Sequence, residues 1–478
     1  MKGIAGGFLI AAGLAACNTT PPASLRPGDV PDRFDQKADL TAPLWPSSSW
    51  WQGFQDQQLT ELIGRAQAQN WDLYQATARV RQADARARQA GAAFLPSIDL
   101  KGNSNSFYGR SHEISEHETD YGASLGASYD LDFWGKHRDA ARSADAGRRA
   151  TLADRATVAL TITAGVATTY FQLLAVQQHI ENARANIKAS EATLGIVQRR
   201  VDAGYAPGAD LIQQRTNLAV QRAALPALQQ QALELHGAVA LLVGVAPERL
   251  VLRSAQLADV HTPTVRPGLP SELLTRRPDV VSAESALLAA HADLALARKA
   301  YLPDVSLTVN GGVAYPALAA AVKTLPGFGL AANAGAALTQ TIFDGGRRRN
   351  KIDESSAREQ ELLGAYRAAV LSALADVENA LGSIQHLSEQ ESALRTQVQE
   401  SQRVLHSAQL RYGVGSVDFL VITDAQRSLY GGQDQLADVH RALLASIVTL
   451  FKALGGGWET STGSEGASEY GPVGKAPP

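Results

Sequence analysis

Side chains that could do covalent or metal chemistry are sparse along the 478 residues of this chain. Of the ten histidines, only His112 and His117 lie close enough to act as paired metal ligands, and they fall in the loop between two extended stretches. Two solvated loop side chains explain that pair better than a zinc site, so no metal is expected. No Gly-x-Ser-x-Gly elbow is present, and Ser, Asp and His co-occur by chance in any chain this long. Nothing in the sequence looks catalytic. The lone cysteine, Cys17, excludes an internal disulfide, which leaves folding to packing and assembly. With 44 basic against 47 acidic residues the formal charge is −3, so nucleic acid is not an expected partner.

The chemistry open to Cys17 is acylation. Met1, Lys2 and the apolar run Ile4 to Ala16 form an export segment too short to span a bilayer, ending at Leu14-Ala15-Ala16-Cys17. This end resembles a bacterial lipobox, whose cysteine sulfur receives a diacylglycerol before the peptide is cut and the new amino group acylated. Several acyl chains hold a protein on a membrane where one does not. The alternative is a plain secretory signal with a coincidental cysteine. Asn18, in place of aspartate, resembles the signal of a passenger sent on to the outer membrane. No other cofactor is expected. Residues 1–16 read as signal peptide and 17–50, rich in Pro, Asp and Ser, as an extended tether.

The elements behind this anchor repeat. Ala93-Phe94-Leu95-Pro96-Ser97-Ile98-Asp99-Leu100 is echoed by Ala300-Tyr301-Leu302-Pro303-Asp304-Val305-Ser306-Leu307, and each copy carries a proline that ends a helix. In Tyr121 to Phe133 apolar odd positions alternate with Gly, Ser and Asp, the pattern of a strand with one apolar face. Val305, Leu307, Val309 and Val313 likewise face away from Ser306, Thr308 and Asn310. Leu330, Ala332, Ala334, Ala336, Leu338 and Ile342 face away from Asn333, Thr339 and Thr341. Ser97 to Tyr108 carries the weakest version. Strands of about 10 to 13 residues with apolar-out, polar-in alternation are the signature of a membrane barrel. A soluble hairpin is the alternative, but the apolar residues are too small for a thick core.

The rest reads as helix: about 56–93, 137–201, 210–243, 278–299, 348–411 and 418–454. A rod of some 65 residues would be roughly 100 Å long. Its Ala-rich composition suits close side-by-side packing. Turns fall at Gly204 and Gly208 and at Gly413 and Gly415, and Pro226 is expected to kink or break its helix. The plan is therefore a two-fold internal repeat, 51–250 and 271–458, with hairpins at 97–133 and 304–343, a Pro-rich linker at 251–270 and a disordered tail at 459–478. Beyond the export segment no apolar run approaches the ~20 residues of a spanning helix. Four strands cannot close a barrel with a lumen, so the chain must oligomerise. Two copies would give a filled eight-stranded barrel and three a wet twelve-stranded one, which the polar faces favour.

These features together resemble the TolC family of outer-membrane efflux channels, in the lipid-anchored OprM and NodT-like branch, over about residues 50 to 458. The resemblance is carried by Leu269-Pro270-Ser271-Glu272-Leu273-Leu274, Arg276-Arg277-Pro278-Asp279, Asp132-Phe133-Trp134-Gly135, Phe343-Asp344-Gly345-Gly346-Arg347 and Arg411-Tyr412-Gly413-Val414-Gly415. It implies a mainly α protein with membrane β, a homotrimer whose four strands per chain make a twelve-stranded outer-membrane barrel, and a long α-helical barrel through the periplasm. The implied partners are a periplasmic adaptor, an inner-membrane RND-type pump and outer-membrane lipid. The implied role is a passive exit duct for small molecules. The exit channel of a type I protein secretion system and a non-conducting, periplasm-spanning lipoprotein are the alternatives.

The resemblance also implies a gate. In OprM-like members rings of Leu and Asp at the start of the last helix close the periplasmic tip, and Leu420 with Asp424-Ala425-Gln426-Arg427 matches residue by residue. A spacing of four puts Leu420 and Asp424 on one helix face. Clustered carboxylates raise one another's pKa and attract cations. Other members carry a second acid three residues before the Asp, where Val421 stands here, which weighs against a two-carboxylate gate. Asp424 also fits as a plain first-turn acid favoured by the helix dipole. Arg427 either braces the closed tip against a neighbouring chain or is merely solvated. Asp418 or Ser416 reads as an N-cap, and Arg347-Arg348-Arg349 as a solvated collar.

Overall fold

In a computed structural model the chain is described at residues 31, 45–110, 115–264, 273–315 and 329–458. Cys17, the export segment, most of the tether, His112, the Leu269 to Glu272 motif and the tail 459–478 lie outside the described residues, as does the His117 side chain. The elements run α1 (Gln57–Gln69), α2 (Trp71–Ala92), β1 (Ser97–Arg110), β2 (Ser115–Leu131), α3 (Lys136–Asp202), α4 (Gly208–Val243), α5 (Leu273–Arg276), α6 (Pro278–Lys299), β3 (Asp304–Tyr315), β4 (Gly329–Thr339), α7 (Arg347–Gly413) and α8 (Phe419–Ala453). The two rods α3 and α7 each have 67 residues. Contacts divide the chain into two compact units, each drawing on both halves of the sequence.

One unit, Arg79–Leu152 with Ser282–Arg367, holds a single antiparallel sheet in the order β1-β2-β3-β4. Its register aligns the alternation across the strands. Asp99, Gly126, Asn310 and Asn333 form one row, and Ile98, Ala127, Val309 and Ala334 the next. Polar and apolar faces are therefore continuous over four strands. Within the polar row Asn310 Nδ2 donates to Asn333 Oδ1 at 3.2 Å, and a Cβ added to Gly126 would lie 2.5 Å from Asn310 Oδ1. Among the described residues the apolar face is left bare: Ile98 is 70%, Leu100 78% and Leu338 71% exposed.

The alternation outruns the strands at two ends. β2 stops at Leu131 and β4 at Thr339, which leaves Phe133 and Ile342 beyond them. The reason is local, because an aspartate at each place turns the chain into a rod. Asp132 accepts from the backbone N–H of His137 at 2.9 Å and of Arg138 at 3.1 Å, and Asp344 accepts from Gly346 and Arg348. Burial pushes the Asp132 carboxyl up, but those two backbone donors and the Arg138 guanidinium together hold it below its usual range. Arg348 of the expected collar folds back toward Asp344, whereas Arg347 and Arg349 are exposed.

The other unit comprises Arg26–Ala78, Ala153–Val281 and Ala368–Pro478. Its main core gathers Trp50, Phe54, Leu59, Ile63, Tyr170, Phe171, Val243, Leu444 and Phe451, with Trp50 stacked on Phe451 at 5.0 Å. Four sequence expectations change here. The helix expected over 56–93 breaks at Asn70, whose Oδ1 accepts from the N–H of Asp72 and Leu73 while its Nδ2 donates to Leu242 O at 2.8 Å. An N-cap in mid-pattern ended one helix and began another. Pro226 does not break α4, since it is exposed and one missing backbone bond in 36 residues is tolerated. The described part of the linker expected over 251–270 is packed, because Leu257 and Val260 are buried in the core. Finally, α3 and α6 each hold an 18-residue stretch apolar enough to cross a membrane by composition. Packing accounts for much of that apolarity, as 56% and 44% of those stretches are buried.

Candidate channel gate

The candidate gate residues sit where the two rods reverse, and both reversals use the same device. At the end of α3 Gly204 takes φ +75°, its N–H donates to Val201 O, and the Tyr205 N–H donates to Arg200 O at 2.8 Å. At the end of α7 Gly415 takes φ +78°, its N–H donates to Tyr412 O, and the Ser416 N–H donates to Arg411 O at 2.9 Å. Both are Schellman turns, which need a left-handed residue just past the helix. Gly208 and Gly413, grouped with them by sequence, are instead helical, as the first residue of α4 and the last of α7. Asp418 does occupy the N-cap of α8, but its side chain makes no capping bond. Ser416 caps the other way, its Oγ donating to Arg411 O at 3.1 Å.

A small apolar cluster holds the turns together: Val197, Leu211, Leu405, Ala408, Tyr412, Phe419, Ile422, Ala425 and Leu429. α8 contributes Phe419, Ile422, Ala425 and Leu429 to it, a spacing of three and four that fixes which face points inward. Leu420, Asp424 and Arg427 are consequently left on the outside. Leu420 is 68% exposed, and the side chains of Asp424 and Arg427 are 66% and 79% exposed. Arg427 Nη1 lies 3.9 Å from Asp424 Oδ1 in the same chain. The four-residue spacing thus does bring Leu420 and Asp424 together on one solvent-facing stripe, with Val421 beside them at 43% exposure.

A second set of polar contacts ties the turns to each other, and sequence reasoning missed it. The Tyr412 hydroxyl donates to Asp210 Oδ2 at 3.1 Å. The Arg200 guanidinium lies 4.5 Å over the Tyr412 ring and donates through Nη2 to Tyr205 O at 3.1 Å. Phe419 packs edge-on against the same ring at 5.6 Å. Burial, then the Asp210 carboxylate, pushes the Tyr412 phenol up to about 12. The available signal was the aromatic of Arg411-Tyr412-Gly413, which at a helix end reads as packing. Among the described residues no cluster of three His, Cys, Asp or Glu could hold a metal ion.

A family model described as outer membrane efflux protein matches residues 62–245 and 269–456. The pyoverdine export outer membrane protein OpmQ of Pseudomonas aeruginosa is 37% identical over 457 residues, covering 94% of this chain and 95% of that protein. The cation efflux system protein CusC of Escherichia coli is 28% identical over 456 residues, covering 94% and 98%. Among solved structures, the outer-membrane channel OprN superposes with a TM-score of 0.83 at 28% identity over 92% of this chain and 100% of that one. VceC from Vibrio cholerae gives 0.77 at 27% identity over 87% and 100%. The fold is thus shared with known efflux channels, and this chain belongs to the outer membrane efflux protein family, the TolC-type channels.

Proposed function

We propose that three copies of this chain form the gated exit duct of a tripartite efflux pump, anchored by an acylated Cys17 and engaged from the periplasm by an adaptor and an RND-type inner-membrane pump. The observation that carries the reading is the open sheet. Among the described residues β1 and β4 are each paired on one side only, and one face of the sheet is bare and apolar. Backbone edges cannot stay unsatisfied in hydrocarbon, so β4 of one copy must pair with β1 of the next until the wall closes. Twelve strands leave a lumen for the polar row of Asp99, Asn310 and Asn333.

The duct itself selects little. Relatives built on the same plan are named for exporting pyoverdine, for cation efflux and for toluene efflux, so cargo choice belongs upstream in the pump. No catalysis is assigned to the chain. Light scattering on detergent-solubilised full-length protein tests the assembly, with three protomers expected and a lone protomer overturning it. Single-channel conductance in planar bilayers tests the duct, and silence even with Asp424→Ala would favour a non-conducting spacer.

A further inference from the structure

Among the side chains that tie the helix bearing Leu420 and Asp424 to α3 above the turns is a histidine. His179 of α3 has both ring nitrogens against carboxylates of α8: Nδ1 lies 3.0 Å from Asp434 Oδ1 and Nε2 3.3 Å from Asp438 Oδ1. Those two aspartates are four residues apart and so share one face of α8. The imidazole is 13% exposed and the carboxylates 53% and 59%. A neutral imidazole offers one donor and one acceptor, so one nitrogen lone pair would face an anionic oxygen. Only the imidazolium donates to both. The contact also sits at a particular level. The main core holds α3 as far as Ala175 and α8 from Ala437, whereas the turn cluster holds α3 from Val197 and α8 as far as Leu429. The bracketed histidine lies at the near edge of the stretch between them.

We propose that His179 is a proton-operated latch, which fastens the helix bearing Leu420 and Asp424 to α3 while the ring is charged and lets it go when the ring is neutral. Asp434 and Asp438 are the charged groups facing the ring, and Asn182 on its own helix donates to Asp434 Oδ1 at 3.4 Å. The Asp434 hydrogen bond, partly opposed by burial and helped by Asp438, raises the imidazole above its ordinary value. A raised value means that the fastening is complete below the usual histidine pKa and is lost as pH climbs through the raised one. The latch is therefore closed in acid and open in alkali. Because both carboxylates are half exposed, salt weakens it.

Hydrogen exchange of the full-length protein in detergent, corrected for intrinsic chemistry, tests this from about pH 5.5 to about pH 8.5, across the histidine range. Peptides spanning residues 430–442 of the wild type should lose protection as pH rises. The loss should be about tenfold for each unit by which pairing raises the pKa. In His179→Gln the high-pH exchange should hold throughout, and in His179→Arg the low-pH protection. Asp438→Asn, milder in shape, should move the step to lower pH. His440, paired instead with Glu391 of α7 at 3.0 Å, supplies the control: His440→Gln should keep the step. A wild type without a step, a step that survives His179→Gln, or a step abolished by His440→Gln would each overturn the latch. None of these readouts requires conduction, so failure here is distinct from failure of the duct reading.

Discussion

The Tyr412 hydroxyl, in the last turn of α7, donates to the Asp210 carboxylate in the first turn of α4 at 3.1 Å, across 202 residues of chain. It joins the two reversals by one polar bond laid over an apolar cluster. Tyr412→Phe keeps the ring against Arg200 and Phe419 and removes only the donor. A hydrogen bond to a charged group that is half exposed contributes about 1–2 kcal/mol, so the open fraction of the duct should rise roughly tenfold. Open probability in planar bilayers reads it. The phenol, raised to about 12, keeps its proton below its ordinary value near 10, and its contribution is lost only as pH rises through the higher value. Mild alkali should not reproduce the Phe phenotype by this route.

The four turn glycines should separate into two pairs. Gly204 and Gly415 lie in the left-handed region, where a side chain costs roughly 1–2 kcal/mol, so Gly204→Ala and Gly415→Ala should each lower the melting temperature. Gly208 and Gly413 are helical, and a Cβ at either would meet nothing within 4 Å. Replacing them by alanine should be neutral or stabilising by about 0.5–1 kcal/mol. Thermal unfolding of the four single variants distinguishes the pairs, and a uniform response would contradict the turn geometry.

What could be read from the sequence was whatever is encoded locally. Alternation between Tyr121 and Leu131 fixes a strand and its register partners, since a one-residue slip would turn every apolar side chain inward. Proline and glycine mark the strand entries and reversals for the same reason. Asn70 shows the limit, because a capping asparagine inside an amphipathic run looks like any exposed polar residue until Leu242 is seen beside it. Leu420 and Asp424 could be placed on one face by spacing, but not on the outside. That depended on Phe419, Ile422, Ala425 and Leu429 finding α3, α4 and α7. Tyr412 with Asp210, and His179 with Asp434, are contacts between distant helices that leave no periodic trace.

Arg277 illustrates a motif residue whose role is structural. Its guanidinium, 9% exposed, grips Asp279 with Nη2 at 2.6 Å and Nε at 3.0 Å, reaches Asp376 of α7 at 3.0 Å and donates to Ala453 O at the end of α8. Burial pushes the Asp279 carboxyl up, yet the Arg277 hydrogen bonds and charge outweigh it and hold the group below its usual range. A depressed carboxylate stabilises above its ordinary pKa and loses that contribution as pH falls through the lower one. Arg277→Lys, which cannot form the fork, should destabilise by about 2–3 kcal/mol, less than a fully buried pair because both aspartates are partly solvated. Unfolding in denaturant near neutral pH should show it, with the gap to wild type narrowing in strong acid.

Asp424 and Arg427 test the proposed gate most directly, because their contact inside one protomer is weak. At 3.9 Å, with both side chains largely in solvent, the pair contributes less than about 1 kcal/mol, and its loss should leave stability almost unchanged. Asp424→Ala and Arg427→Ala should therefore melt with the wild type. Their conductance should nevertheless differ. In the proposed trimer three Asp424 carboxylates would gather at one level, where they would attract divalent cations. Asp424→Ala should raise basal conductance and abolish block by added magnesium, while Arg427→Ala should retain the block. If Arg427→Ala raises basal conductance as much as Asp424→Ala, the arginine must find its partner on the adjoining protomer, since the contact within its own chain is too weak to account for the change.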